Sequence, residues 1–140
     1  LAVIKSKRLT INSDGAAVPN PGYAGIGAIL RDANGVVVAE ISQYIGLSTN
    51  NKAEFLALIA ALEKALELNA DHVDLRIDSE LLVRQIEGRY RSKLMKELYE
   101  QAMSLLGEFK SYTVRHVPRE QNKEADALSK RALKLKLKGH

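Results

Sequence analysis

The chain has 140 residues, 46% of them hydrophobic, and a formal net charge of +4. At this length a single domain buries roughly 68–70% of its unfolded surface, enough for a core without covalent staples. There is no cysteine, which excludes a disulfide framework, a thiolate metal site and a cysteine nucleophile, and fits a reducing compartment such as the cytoplasm. No apolar run approaches the roughly 18 residues of a membrane span and no signal-peptide pattern opens the chain, so no membrane partner is expected. The chain begins at Leu1 rather than Met, which leaves its true N-terminus open.

Residues 8–15 read Arg-Leu-Thr-Ile-Asn-Ser-Asp-Gly. Leu9, Ile11 and Ser13 alternate with Thr10, Asn12 and Asp14, the period of a strand, and Asp14-Gly15 is the expected stop. Residues 16–22 follow as a loop rich in Pro, Asn and Gly. Residues 23–31 form the next strand, with Ala24, Ile26, Ala28 and Leu30 on one face and Gly25 and Gly27 leaving room on the other. A turn on Asn34-Gly35 returns the chain into a third strand over 36–45. Gly25-Ile26-Gly27 hints at a dinucleotide loop, but a hairpin follows instead of a helix, so that motif is rejected.

Residues 51–69 are a helix by their Ala, Leu, Glu and Lys content, with Leu58, Ala61, Leu62 and Ala65 as the apolar stripe. A strand at 72–78, a short helix at 79–87, a basic connection at 88–92 and a helix at 93–108 follow. A strand at 111–117 stops at Pro118, and a last helix begins near Asn122, its expected N-cap, and runs to Leu133 or beyond. Three hairpin-linked strands and then strands alternating with helices predict an α/β fold, a mixed five-stranded sheet with helices on its faces. A right-handed crossover puts the fourth strand beside the first, so Asp14 and Asp78 end neighbouring strands, where open α/β sheets hold ligands.

Charge is unevenly placed. The chain up to Asp126 is nearly neutral, whereas residues 127–140 carry Lys130, Arg131, Lys134, Lys136 and Lys138 with no acid. Arg84, Arg89, Arg91, Lys93 and Lys96 form a second basic group, offset by Glu87. Localised positive charge of this kind suits a polyanion. In 133–138 leucines alternate with lysines, which predicts an extended tail, 133–140, docked by its leucines beyond a core of about 8–132.

Four acids draw attention. Each has an ordinary role: Asp14 a turn residue, Glu54 part of an Asn51–Glu54 capping box, Asp78 a helix cap, Asp126 an acid suited to a helix dipole. All four, however, fall at strand ends or early helical turns that converge at one edge of such a sheet. Carboxylates so gathered repel, and their proton affinities rise unless a cation neutralises them. Oxygen-only ligands favour magnesium or manganese. Two such ions about 3.5–4 Å apart suit in-line displacement at phosphorus.

Asp14-Gly15-Ala16, Thr49-Asn50-Asn51-Lys52-Ala53-Glu54, Asp78-Ser79 and the run from His116 to Asp126 (His-Val-Pro-Arg-Glu-Gln-Asn-Lys-Glu-Ala-Asp) occur in order over about residues 8–132. In these pieces the chain resembles the type-one ribonuclease H family, which includes the retroviral ribonuclease H domains. The resemblance implies the ribonuclease H-like fold and metal-dependent endonucleolytic cleavage of RNA paired with DNA, leaving a 3′-hydroxyl and a 5′-phosphate. It implies that Asp14, Glu54, Asp78 and Asp126 hold Mg2+ or Mn2+, two ions with substrate. It implies nucleic-acid contacts from Gly15, Ala16, Asn20, Thr49, Asn50, Asn51, Ser79 and Asn122. His116 and Arg119 are rival candidates for a loop residue that aids turnover. Glu80 stands where many members carry Gln, and the family's basic protrusion is reduced to 88–93 in a chain without Trp. The expected partner is an RNA/DNA hybrid, with a monomer in the cytoplasm and no obligate protein partner. Two alternatives are a non-catalytic binder of hybrid, disfavoured by the four intact acids, and a phosphatase with Asp14 as nucleophile. The second wants another acid just after Asp14, where Gly15, Ala16 and Ala17 stand.

Overall fold

The computed structural model describes residues 6–138, with side chains through Lys136; the first five residues and the end of the expected tail, 139–140, lie outside the described residues. Five strands and four helices follow in the order β1 (Arg8–Val18), β2 (Gly22–Arg31), β3 (Val37–Ser48), α1 (Asn50–Glu67), β4 (His72–Ile77), α2 (Glu80–Ile86), α3 (Lys96–Leu106), β5 (Ser111–His116) and α4 (Lys123–Lys138). Short 3-10 turns at Lys93–Met95 and Arg119–Gln121 lead into α3 and α4.

The five-stranded mixed sheet has the expected topology, β3-β2-β1-β4-β5. β1 to β3 are antiparallel neighbours, while β4 runs parallel to β1 and to β5. The β2–β3 turn forms where Asn-Gly predicts it. Gly35 has φ 81°, and Asp32 Oδ1 accepts from the amides of Asn34 and Val36 at 2.9 and 3.0 Å. β1 departs from expectation by running on through Asp14-Gly15 to Val18. Its parallel pairing with β4 ends at Ser13–Ile77, but β2 continues to satisfy its backbone as far as Val18–Tyr23.

One face of the sheet supplies Leu9, Ile11, Leu30, Val73, Leu75 and Ile77 to a core closed by Phe55, Leu58 and Leu62 of α1 and by Leu82, Ile86, Ala102 and Leu106 of α2 and α3. Each fully buried large aliphatic contributes about 1.5–3 kcal/mol. α4 lies on the opposite face. It packs directly on the backbone side of Gly25 and Gly27, where any Cβ would collide with the backbone of Ala125 or Ser129. The room left by those glycines is therefore filled by a helix.

The expected extended tail is corrected. Residues 133–138 continue α4; Leu, Lys and Ala are strong helix formers and no breaker precedes Gly139. Leu133 is buried and Leu135 is 60% exposed, so these two leucines do not share a docked face. Lys136 instead lies over the Tyr44 ring, 5.5 Å from its centroid. Among the described residues no helix is long and apolar enough to cross a membrane.

Candidate active site

Asp14 and Asp78 directly follow the registered pair Ser13–Ile77 at the edge of β1 and β4. Glu54 comes to them from α1, because Gly15 packs against the backbone of Ala53 and Glu54 with no space for a side chain. Asp14, Glu54 and Asp78 each present an oxygen, all within 4.8 Å of one another. Glu54 Oε1 accepts from the Gly15 amide at 3.3 Å. Its Oε2 is buried with no hydrogen-bond partner, so half of a carboxylate that sits beside two other acids is left unsatisfied. The capping-box role of Glu54 is not realised: α1 starts earlier, Thr49 is its N-cap, and Thr49 Oγ1 accepts from Lys52 N at 3.2 Å.

The electrostatics follow from this crowding. Burial pushes the Asp14 carboxyl up to about 7, with the charges of Asp78 and Asp126 adding to the effect and the adjoining Glu54 carboxyl opposing it. Glu54 is raised well above the usual carboxylate range by burial, then by the adjoining Asp14 carboxyl and the charge of Asp78. Asp78 is raised by burial and by Asp126, against the positive charge of Arg119 and the nearby Asn122 amide. An all-oxygen set with an orphaned buried oxygen and elevated proton affinities has the donor chemistry of a hard divalent cation.

Asp126 stands beside this trio on the first turns of α4. Its carboxylate is ion-paired at 2.9 Å with Lys130, one helical turn on. In the sequence Lys130 stands only as one more basic residue near the end of the chain; its i,i+4 spacing from Asp126 is the signal that pairs the two.

Asn122, expected among the nucleic-acid contacts, is held inside the fold. It is 1% exposed; its Nδ2 donates to Ser13 O at 2.9 Å and its Oδ1 accepts from Asn12 Nδ2 at 3.0 Å. It does occupy the position ahead of α4, where its carbonyl accepts from Asp126 N at 3.1 Å. Asn12, unremarked in the sequence beyond its strand face, is the other half of this buried clamp. Ser79 caps α2 by accepting from Leu82 N at 3.2 Å.

Asn50 Oδ1 accepts from Ala17 N at 2.8 Å, and Asn20 Oδ1 accepts from Asn50 N at 3.0 Å. These bonds brace the β1–β2 turn against the start of α1 and leave Asn20, Asn50 and Asn51 exposed beside half-buried Ala16. His116 ends β5, exposed, with its Nε2 3.2 Å from the Asp78 carbonyl oxygen. Arg119 is exposed on the following turn, and its charge reaches Asp78. The two rivals thus approach the same acid from different segments.

A mixed sheet in this strand order, with a carboxylate cluster where β1, β4 and α1 meet, defines a ribonuclease H-like α/β protein. The family model described as reverse transcriptase-like matches residues 12–132. A curated ribonuclease HI of Halobacterium salinarum is 42% identical over 122 residues, which cover 86% of this chain and 61% of the relative. The chain thus spans about three fifths of that curated relative's length. The crystal structure of RNase H1 from the same halophilic archaeon matches with a TM-score of 0.88 at 40% identity, over 91% of this chain and 98% of that one. LC11-RNase H1, isolated from compost by a metagenomic approach, was crystallised in complex with an RNA/DNA hybrid; it matches with a TM-score of 0.86 at 39% identity, over 92% of this chain and 99% of that one. The chain belongs to the type-one ribonuclease H family.

Proposed function

We propose that the chain, as one nuclease domain over about residues 8–132 with a basic end on α4, hydrolyses the RNA strand of RNA/DNA hybrids and leaves 3′-hydroxyl and 5′-phosphate ends. The observation that carries the reading is the meeting of Asp14, Glu54 and Asp78, with oxygens within 4.8 Å of one another, around a Glu54 whose Oε2 is buried and unpartnered. Asp14, Glu54 and Asp78, joined by Asp126 once it leaves Lys130, would hold two Mg2+ or Mn2+ ions. Such ions supply activation of the attacking water and neutralisation of charge at phosphorus.

The chain's own residues do the rest. Asn122 and Asn12 clamp β1 to the start of α4 and so fix Asp126 against Asp14. His116 holds the Asp78 carbonyl, a positioning role at a strand end. Arg119, on a turn and unable to act as a base, is the better candidate for the loop residue that aids turnover. The exposed amides of Asn20, Asn50 and Asn51, with the backbone at Gly15 and Ala16, present neutral donors and close approach. Those suit the 2′-hydroxyls of a wide minor groove. Thr49 and Ser79 hold the helix starts that frame this surface. The expected setting is a monomer in the cytoplasm.

The test is a labelled RNA/DNA hybrid, RNA duplex and DNA duplex, each incubated with and without magnesium or manganese. The expected result is metal-dependent cutting of the RNA strand of the hybrid and intact DNA. Cutting that proceeds without divalent metal, or cutting of the DNA strand, would overturn the proposal.

A further inference from the structure

The part of the sheet that α4 leaves open carries a charge arrangement the nuclease reading does not use. Arg76 of β4 and Arg115 of β5 are Cα partners in the parallel register, and both are exposed. Registered neighbours project to one face of a sheet about 4.8 Å apart, and like charges so placed destabilise it. Among the described residues neither arginine has an acid within ion-pair distance. Asp74, the acid on the same face of β4, feels the charge of Arg76 but makes its direct bonds elsewhere. Arg8 grips it at 2.8 and 3.0 Å, and Thr113 Oγ1 donates to it at 2.7 Å. The two arginines, with Asp74 and Thr113, border a concavity of about 350 Å³.

Neighbouring guanidinium groups that no carboxylate ion-pairs match the planar, bidentate geometry of phosphate. Asp78 lies two residues on from Arg76, just past the end of β4. We infer that Arg76 and Arg115 form a second anion site, which takes a phosphodiester of nucleic acid distinct from the one at the carboxylates. The ligand's identity rests on the nucleic-acid reading above; its anionic chemistry rests on the arginines alone. A bound phosphate removes the repulsion that the empty pair imposes on β4 and β5.

The test compares metal-free wild type with the double variant Arg76→Gln/Arg115→Gln. Duplex binding is followed by fluorescence anisotropy over a salt series. The slope of log affinity against log salt should shrink by about 0.9 for each phosphate that the variant no longer neutralises. The variant should melt at or above wild type, since repulsion is gone, and inorganic phosphate should raise the melting temperature of wild type alone. An unchanged slope overturns the inference. A response to inorganic phosphate with an unchanged slope makes this a free-phosphate site and overturns the nucleic-acid assignment. Should the double variant melt well below wild type, Arg115→Gln alone, on the edge strand, is read by the same slope. Hydrolysis is scored separately: a chain that shows the arginine-dependent slope but never cuts hybrid refutes the nuclease reading and leaves this one standing.

Discussion

Asp14→Asn should make the metal-free protein more stable. Asp14 is 5% exposed, and its carboxyl is held at about 7 instead of 3.8, chiefly by burial. Ionising it in the folded state costs on the order of 4 kcal/mol, at about 1.36 kcal/mol per pKa unit. Because the folded-state value is raised, the native protein binds the extra proton between about pH 4 and pH 7, and stability falls as pH rises through that window. Asn keeps the shape and never ionises. For a domain of this size 1 kcal/mol is about 3–4 °C, so in EDTA near pH 8 the variant should melt roughly 10 °C above wild type. Near pH 4, where both side chains are neutral, the difference should vanish. Saturating Mg2+ should narrow the gap, since a ligand present at about 100 times its Kd adds about 2.7 kcal/mol to a chain that binds it and less to one that has lost a ligand. Calorimetric melts at the two pH values, with EDTA and with Mg2+, decide the matter. Equal melting temperatures in EDTA near pH 8, or equal Mg2+ gains, would refute the claim that burial, aided by the neighbouring acids, makes the Asp14 charge costly until a cation binds.

The same Asp14→Asn variant should lose at least about 10²–10³ in the rate of hybrid hydrolysis while remaining folded, as single-turnover assays would show. Arg119→Ala should lower kcat more than it raises KM at unchanged melting temperature, whereas His116→Ala, which removes the 3.2 Å approach to the Asp78 carbonyl, should lower the melting temperature first; the opposite pattern in kinetics and melts would give the turnover role to His116. Gly27→Ala should exceed the usual overpacking loss of about 1–3 kcal/mol, because the atoms it meets are the backbone of α4; urea denaturation reads this directly. Leu133→Ala should cost about 2–5 kcal/mol and Leu135→Ala within about 0.5 kcal/mol, a contrast that an extended tail docked by both leucines would not produce.

Much of this architecture was legible because local chemistry and global topology agree. The Asn34-Gly35 turn, the Leu58–Ala65 stripe and the alternation about Val73, Leu75 and Ile77 all state their element without help. The right-handed crossover then places β4 beside β1 and brings Asp14 to Asp78. What misled was chemistry that depends on distant partners. Asp14-Gly15 looks like a strand stop until β2 is present to continue the ladder. Asn51–Glu54 looks like a capping box until Gly15 admits the backbone of α1 and offers its own amide to Glu54. Leu133–Lys138 has a period of two that belongs to no strand, since helix propensity and the Tyr44 ring settle its form. Asn122 announces a cap, and nothing local to it reveals that Asn12, across the fold, takes up its amide.

The central place of β1 also bears on how the protein is made. Its acid is the first of the four to be synthesised, and the fourth lies on α4, the last of these helices to leave the ribosome. Chains emerge at about 5–20 residues per second, so several seconds separate Asp14 from Asp126. During that interval Gly25 and Gly27 lack the helix that covers them, Asn12 lacks Asn122, and the acidic cluster is incomplete. A nascent chain therefore holds only part of its carboxylate set, and competence arrives when α4 has been made and has docked on the glycines.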